Sequence, residues 1–411
     1  SLYDSLMTEY VGYKQQGLQL NMSRGKPAPE QLDLCAGVNE CPTDFICEDG
    51  TDVRNYGVLD GIPEAKRLFG EIFGMPASNV IVGGSSSLNM MYDTVCRAYL
   101  HGVLPDSKPW SQQGKIKFLC PTPGYDRHFL ICEKLGIEMI PVDILSDGPD
   151  MDAVLELVKD PAVKGMWSIP KYSNPTGVVY SDEKIRMLAE MDCAADDFRI
   201  MWDDAYTVHF LGNAPAEQLN MLDACRAAGN PDRVIIFGST SKITFPGSGL
   251  AAMAASEANI KYALSHITVQ TIGHDKLNQL RHANFLRDYD GTIAHMKKHA
   301  EILRPKFNAV LDVFEKELAG TGILEWTKPE GGYFISINTL DGCAAKVVAM
   351  AKECGVLFTP AGATYPYRKD PRDRNIRIAP TLPPLSELTE AITVLCVCIK
   401  ICSVEKLLGN D

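Results

Sequence analysis

Lys242 closes the tetrapeptide Ser239-Thr240-Ser241-Lys242, directly after the apolar run Val234-Ile235-Ile236-Phe237-Gly238. An amine just past a strand end can condense with an aldehyde cofactor. Hydroxyls one and three residues before it can donate hydrogen bonds to a phosphate on that cofactor. Taken alone, such a run is more often a solvated turn. Three further segments change that balance. Lys171-Tyr172-Ser173-Asn174-Pro175-Thr176-Gly177 follows a mostly apolar stretch over 165–170. Its Asn-Pro and Thr-Gly pairs form turns, and the Asn174 amide offers two donors and an acceptor where open α/β sheets take ligands. Phe198-Arg199-Ile200-Met201-Trp202-Asp203-Asp204-Ala205-Tyr206 reads as a buried strand that delivers a carboxylate and, three residues later, a phenol. Ionised Asp203 against a ring nitrogen would keep it protonated and make the ring an electron sink. Asn375-Ile376-Arg377-Ile378-Ala379 sets a guanidinium among apolar strand residues. If buried, it needs an anion, and it grips a carboxylate in bidentate fashion.

In this order, the four segments resemble the fold-type I pyridoxal-phosphate aminotransferases of class I/II, over nearly the whole chain. The resemblance implies that Lys242 bonds covalently to pyridoxal 5'-phosphate and shuttles the proton. It makes Asp203 the partner of the pyridine nitrogen. Asn174 and Tyr206 would hydrogen-bond the phenolic oxygen of the cofactor. Arg377 would clamp the substrate α-carboxylate, with Asn174 assisting. Lys242, Asp203 and Tyr206 form the implied catalytic set. The loop Val82-Gly83-Gly84-Ser85-Ser86-Ser87-Leu88-Asn89 precedes a helical pattern. Backbone N–H groups and the hydroxyls of Ser85, Ser86 and Ser87 at a helix start suit an anion, and Ser239 and Ser241 complete the cup. Tyr125, in Pro121-Thr122-Pro123-Gly124-Tyr125, stands where the family stacks an aromatic on the cofactor. Tyr56, in Asn55-Tyr56-Gly57, resembles the tyrosine that reaches the phosphate of the neighbouring subunit. That implies a homodimer with a shared active site.

One departure stands out. Many relatives carry a phosphate-binding arginine in a Gly-x-Arg-x-Gly setting, whereas this chain has Gly247-Ser248-Gly249. Another cation must serve the phosphate, or it rests on the helix terminus, backbone amides and Tyr56. The run Ser241 to Gly249, with Ser23-Arg24-Gly25-Lys26-Pro27, resembles a bacterial aspartate aminotransferase subgroup. That narrower resemblance implies L-aspartate as donor and 2-oxoglutarate as acceptor. A dicarboxylate needs a second cation away from Arg377. Arg24, Lys26, Arg127, Lys276 and Arg281 are candidates, with Arg24 first and Gly25 beside it in the substrate-binding set. The same scaffold also carries alanine or aromatic transamination and β-lyase chemistry. A transcriptional regulator of this type would need a DNA-binding module, and about 80 residues before the phosphate loop leave it no room.

The elements that must position these residues are legible as alternation. Apolar runs at 116–120, 137–142, 165–170, 198–203, 234–238 and 249–254 are strands, with helical patterns between them such as 181–194. Such alternation predicts an α/β fold with a mostly parallel sheet covered by helices on both faces. A long helix over 290–319, strands at 332–337, 356–359 and 375–379, a helix over 341–354 and a last helix capped by Ser386 read as a smaller α/β domain. The resemblance then implies a division into a large cofactor-binding domain over 52–289 and a small one built from both chain ends, 1–51 with 290–411.

The 411 residues are 45% hydrophobic and carry a formal net charge of −12, which argues against a nucleic-acid surface. Apolar stretches of about eight residues are too short to span a bilayer, and residues 1–30 contain no signal-peptide core. The thirteen cysteines lack metal-site spacing and read as small buried hydrophobes in a reducing, cytoplasmic setting. His295 and His299 lie four apart on one helix face. No cysteine or acidic ligand accompanies them in sequence, so no metal is expected.

Overall fold

The computed structural model describes residues 2–409. Strand β1 (Leu20–Asn21) lies near the start. The strands β2 (Val80–Val82), β3 (Lys117–Thr122), β4 (Glu138–Leu145), β5 (Gly148–Pro149), β6 (Val163–Ser168), β7 (Arg199–Asp203), β8 (Val234–Ser239) and β9 (Ala251–Ala255) then form one sheet. Its order is β2-β9-β8-β7-β6-β3-β4-β5. The central strands β8, β7, β6, β3 and β4 pair in parallel. Antiparallel β9 and β5 join them at either side. Strands β6, β7 and β8 are buried along nearly their whole length. That explains their near-continuous apolar sequence, the mark of a sheet covered on both faces.

Alternate residues feed two separate cores, as the two-residue repeat of a strand requires. Leu119, Met166, Ile200, Trp202 and Ile236 point into one. Phe118, Trp167, Met201, Ile235 and Phe237 point into the other, with the helix Ser87–His101 over them. The chain runs β6, β7, β8 in one direction across the sheet and β3, β4 in the other. The crevice between β6 and β3 is therefore a topological switch point, where open α/β sheets bind ligands.

The remaining strands are β10 (Leu324–Trp326), β11 (Ile335–Thr339), β12 (Val356–Leu357) and β13 (Asn375–Ile378). Strands β10, β11 and β13 form an antiparallel sheet. Strand β1 pairs in parallel with β12, bringing the chain ends together. The helix Leu2–Gln16 lies on the helix Leu385–Leu407, and the Tyr3 hydroxyl donates to Glu405 at 2.9 Å.

Most expected elements are present within a few residues. The helix Asp182–Glu190 is capped by Ser181, whose Oγ accepts from the Lys184 N–H at 3.2 Å, but it stops short of 194 because Met191 is already extended. The long helix runs Tyr289–Leu318 and tolerates Pro305. Two expectations need correction. Ser386 is not the cap of the last helix. Pro384 holds that place, and the fixed φ of proline starts the helix at Leu385. Strand β11 begins at Ile335 rather than 332, because Gly332 has φ +82° and a Cβ there would crowd Tyr172.

The core tolerates no added volume at Gly165 in β6. A Cβ on Gly165 would lie 2.4 Å from the ring of Phe118, which is buried against Trp110 and Trp167. Gly165→Ala should destabilise the fold by about 1–3 kcal/mol through overpacking. Urea denaturation measures this, and an unchanged midpoint would contradict the packing described.

Candidate active site

Strand β7 ends on Asp203, which is 3% exposed. Its Oδ2 lies 2.9 Å from His128 Nε2. A carboxylate can only accept, so this ring nitrogen carries the hydrogen and donates it. His128 sits in the helix Asp126–Leu135. Its ring stacks on Trp167 at 4.3 Å and 9°, with Tyr125 edge-on at 5.0 Å. The other oxygen, Oδ1, is buried and has no partner. Such an atom calls for a hydrogen-bond donor from a bound group. A protonated ring nitrogen fits that demand. Sequence reasoning missed His128. Its place three residues after Tyr125 was the only available signal, and nothing local linked it to Asp203.

Strand β8 ends at Ser239, whose Oγ donates to Ser241 Oγ at 3.0 Å. Lys242 follows, with Nζ 5.0 Å from the centre of the Tyr206 ring and 5.7 Å from that of Tyr333. Burial lowers the Lys242 pKa, while the charge of Asp203 partly opposes the shift. An amine so placed is more readily uncharged and nucleophilic. Burial raises the phenols of Tyr125, Tyr206 and Tyr333, so all three are neutral donors at neutral pH. His209, edge-on to Tyr206 and Tyr333, is buried and its pKa falls to about 3.

Arg377 comes from β13 and reaches the same crevice, where Asn174 is 3% exposed. Its Nη1 donates to Asn174 Oδ1 at 3.3 Å and to Asp126 Oδ1 at 3.2 Å, and its Nη2 to Thr359 Oγ1 at 3.4 Å. The guanidinium lies over the Phe334 ring at 4.8 Å. Gly25 passes the tip of that ring, where a Cβ would come within 2.6 Å of Cζ. The glycine of the Arg24-Gly25-Lys26 run is thus a packing requirement beneath Arg377. Ser86 occupies the cap position of the helix Ser87–His101, but its side chain makes no capping bond. The first-turn N–H groups and this hydroxyl remain available to an anion.

A cavity of about 800 Å³ joins these groups, lined by Arg24, Gly25, Ser86, Ser87, Tyr125, Asn174, Asp203, Tyr206, Ser239, Ser241, Lys242 and Arg377. Other expected residues are not gathered there. Ser85 faces an adjoining cavity of about 320 Å³ that also holds Arg97. Tyr56 is 82% exposed and outside the lining. Ser248 is exposed, with its carbonyl accepting from Asn278. Among the candidate distal cations, Arg24 and Arg127 line the cavity, joined by Lys352, which sequence reasoning overlooked. Lys26, Lys276 and Arg281 do not. Lys276 is buried and its Nζ is bound to the Gly57 carbonyl at 3.0 Å.

Packing also supplies a companion that sequence did not offer to His295 and His299. Cys35 Sγ lies 3.6 Å from His295 Nε2, and the three potential ligand atoms fall within 4.8 Å of one another. The hydrogen bonds argue for a protonated network. The Ala28 N–H donates to Gln31 Oε1 at 3.0 Å, which turns Gln31 Nε2 toward His299 Nδ1 at 2.9 Å as donor. Burial holds the His299 pKa at about 3, so that ring is neutral, and His295 Nε2, 2.8 Å from the Ile243 carbonyl oxygen, carries a hydrogen and donates it there. An inward N–H presents no lone pair to a metal.

Residues 1–411 match the family model described as aspartate amino-transferase. The chain belongs to the aspartate aminotransferase family. An aspartate aminotransferase of Corynebacterium glutamicum is 44% identical over 405 residues, covering 98% of this chain and 94% of that protein. A crystal structure described as an aspartate transaminase from that organism superposes with a TM-score of 0.97 over 98% of this chain and 96% of that one, at 44% identity. The fold is also that of the α-aminoadipate aminotransferase LysN from Thermus thermophilus, with a TM-score of 0.76 at 21% identity over 97% of this chain and 95% of that one. The family and fold expected from sequence are established: the protein is an aminotransferase with a large, mostly parallel sheet flanked by helices. No described helix is long and apolar enough to cross a membrane.

Asp204, beside Asp203, is an electrostatic cost of building the site. Its Oδ1 is buried without a partner, and burial raises its pKa to about 6 from 3.8. A raised folded pKa means the fold prefers the protonated form, so its ionisation removes stability as pH rises from about 4 to about 6. Asp204→Asn should therefore stabilise the protein by about 3 kcal/mol above pH 6, with little gain near pH 4. Thermal melts across that range test it, and a gain independent of pH would exclude the ionisation as the cause.

Proposed function

We propose that the protein is a pyridoxal-phosphate-dependent transaminase that takes L-aspartate as amino donor and 2-oxoglutarate as acceptor. The observation that carries the reading is the buried, partnerless Oδ1 of Asp203 in the same cavity as Lys242 and Arg377. The names of its highly identical relatives support the substrate assignment. When bound, pyridoxal phosphate supplies a protonated ring that delocalises the electron pair left by the departing α-proton. Asp203 Oδ1 would accept the hydrogen on the ring nitrogen, with Oδ2 fixed by His128. Tyr125 would cover one ring face, and Asn174 and Tyr206 would bind the phenolic oxygen. Ser86, Ser87, Ser239, Ser241 and the free N–H groups of the helix start would cradle the phosphate, with Ser85 nearby.

Lys242 would hold the aldehyde covalently and, once released, move the proton at the substrate α-carbon. Arg377 would bind the α-carboxylate, and Arg24 on the cavity rim the distal one. Tyr56 would serve the partner's site in a cytoplasmic homodimer, which accords with its exposure. The division into a 52–289 domain and a domain from both chain ends belongs to the same proposal.

Two experiments test this reading. Borohydride reduction of the holoenzyme should label Lys242, and Lys242→Ala should lower turnover by more than about 10⁴-fold while the protein stays folded. Labelling of another lysine would refute the assignment. A panel of donors and oxoacids should show aspartate reacting about a hundredfold faster than alanine, because a lost charge-assisted contact is worth about 3 kcal/mol. Comparable rates for aspartate, alanine and an aromatic donor would overturn the dicarboxylate preference. Release of ammonia and pyruvate from a β-substituted substrate would point to lyase chemistry instead. Arg24→Ala should raise KM for aspartate and leave that for alanine unaltered, set beside Arg127→Ala and Lys352→Ala.

A further inference from the structure

Arg377 already holds a carboxylate of its own chain. Asp126 Oδ1 lies 3.2 Å from Nη1, and the side chains are 33% and 9% exposed respectively. This is a single-point pair: one oxygen to one nitrogen, shared with the Asn174 amide at 3.3 Å. The Nε of Arg377 is buried without a partner. Nη1 and Nη2 form the edge that faces Asn174, Thr359 and Asp126, and Asp126 occupies half of it.

We propose that Asp126 stands in for the substrate carboxylate in the free enzyme and must give way when substrate binds, so that it sets the affinity of the site for every carboxylate ligand. The inference rests on the α-carboxylate role proposed for Arg377. Its physical basis is charge. A guanidinium this buried is costly without a counter-ion, and Asp126 supplies one. A second carboxylate on the same edge then meets like-charge repulsion, which ends only when Asp126 withdraws. Withdrawal has a route. Asp126 is the first residue of the helix Asp126–Leu135, is partly exposed, and keeps the favourable field of the helix start when its bond to Arg377 breaks. The incoming carboxylate, with two oxygens for Nη1 and Nη2, replaces a one-point pair by a bidentate one.

Asp126 thus acts as a positioning residue through Arg377, and two opposite outcomes separate this role from that of a mere prop. In holoenzyme bearing Asp126→Asn, KM should fall by about three- to tenfold, and by the same factor for the amino acid and the oxoacid, since both carry the α-carboxylate. Dissociation constants for acetate and succinate, which cannot react, should fall alongside, read by calorimetry. Asp126→Ser, smaller and uncharged, should behave likewise, and thermal midpoints recorded for both variants verify folding. Unchanged or raised constants in both variants would overturn the proposal, because loss of a prop would weaken binding. Arg377→Ala separates the two levels of inference. If it abolishes acetate and succinate binding while the Asp126 variants do not tighten it, only the role of Asp126 fails. If it leaves binding intact, the carboxylate site itself has been misassigned.

Discussion

The structure turns on a buried carboxylate with one oxygen unspent. Asp203 ends the central strand β7 in a nearly solvent-free position, where an ionised group is expensive unless hydrogen-bonded. His128 satisfies Oδ2, and Trp167 and Tyr125 pin the His128 ring by stacking and edge contact. The fold thus invests three side chains from two strand–helix units in holding one oxygen, and leaves the other bare. That arrangement makes sense only in the service of a ligand that brings a donor.

Parallel strand pairing places the rest. Neighbouring strands lie about 4.8 Å apart, so groups at adjacent C-terminal ends fall within the span of one small molecule. Asp203 ends β7, Ser239 to Lys242 follow β8, Tyr125 follows β3 and Asn174 follows β6. The reversal of strand order between β6 and β3 opens the crevice between them. No long connection is needed, because each group comes from the loop directly after its strand.

Arg377 is the exception, since it arrives from a different sheet formed late in the chain. Its orientation depends on Phe334 beneath it and on the absence of a side chain at Gly25 against the tip of that ring. The β1–β12 pairing and the packing of the first helix on the last bring residue 25 to residue 334. The placement of Arg377 is therefore coupled to the docking of both chain ends. Near Ser86 and Ser239 the crevice has no such guanidinium from Ser248, which is exposed and turned to another contact. It offers hydroxyls and unspent helix N–H groups in its place.

Sequence by itself determined the family, the alternating α/β architecture and the groups that follow strands. These properties are local: apolar runs set strands, and the motif residues sit within a few positions of their ends. It also located Lys242, Asp203, Asn174, Tyr206 and Arg377 in one cavity through the order of four short segments. Tertiary structure alone decided what those groups touch. His128 on Asp203, Asp126 on Arg377, Lys352 on the cavity wall and Cys35 beside His295 are contacts between residues far apart in the chain. Neither period nor spacing encodes them. Lys276 fell outside the site for the same reason: its amine is drawn to a backbone carbonyl that only packing brings near. Types and spacing specify which groups a strand end delivers, whereas the partner of a buried charge is chosen by whichever element packs against it.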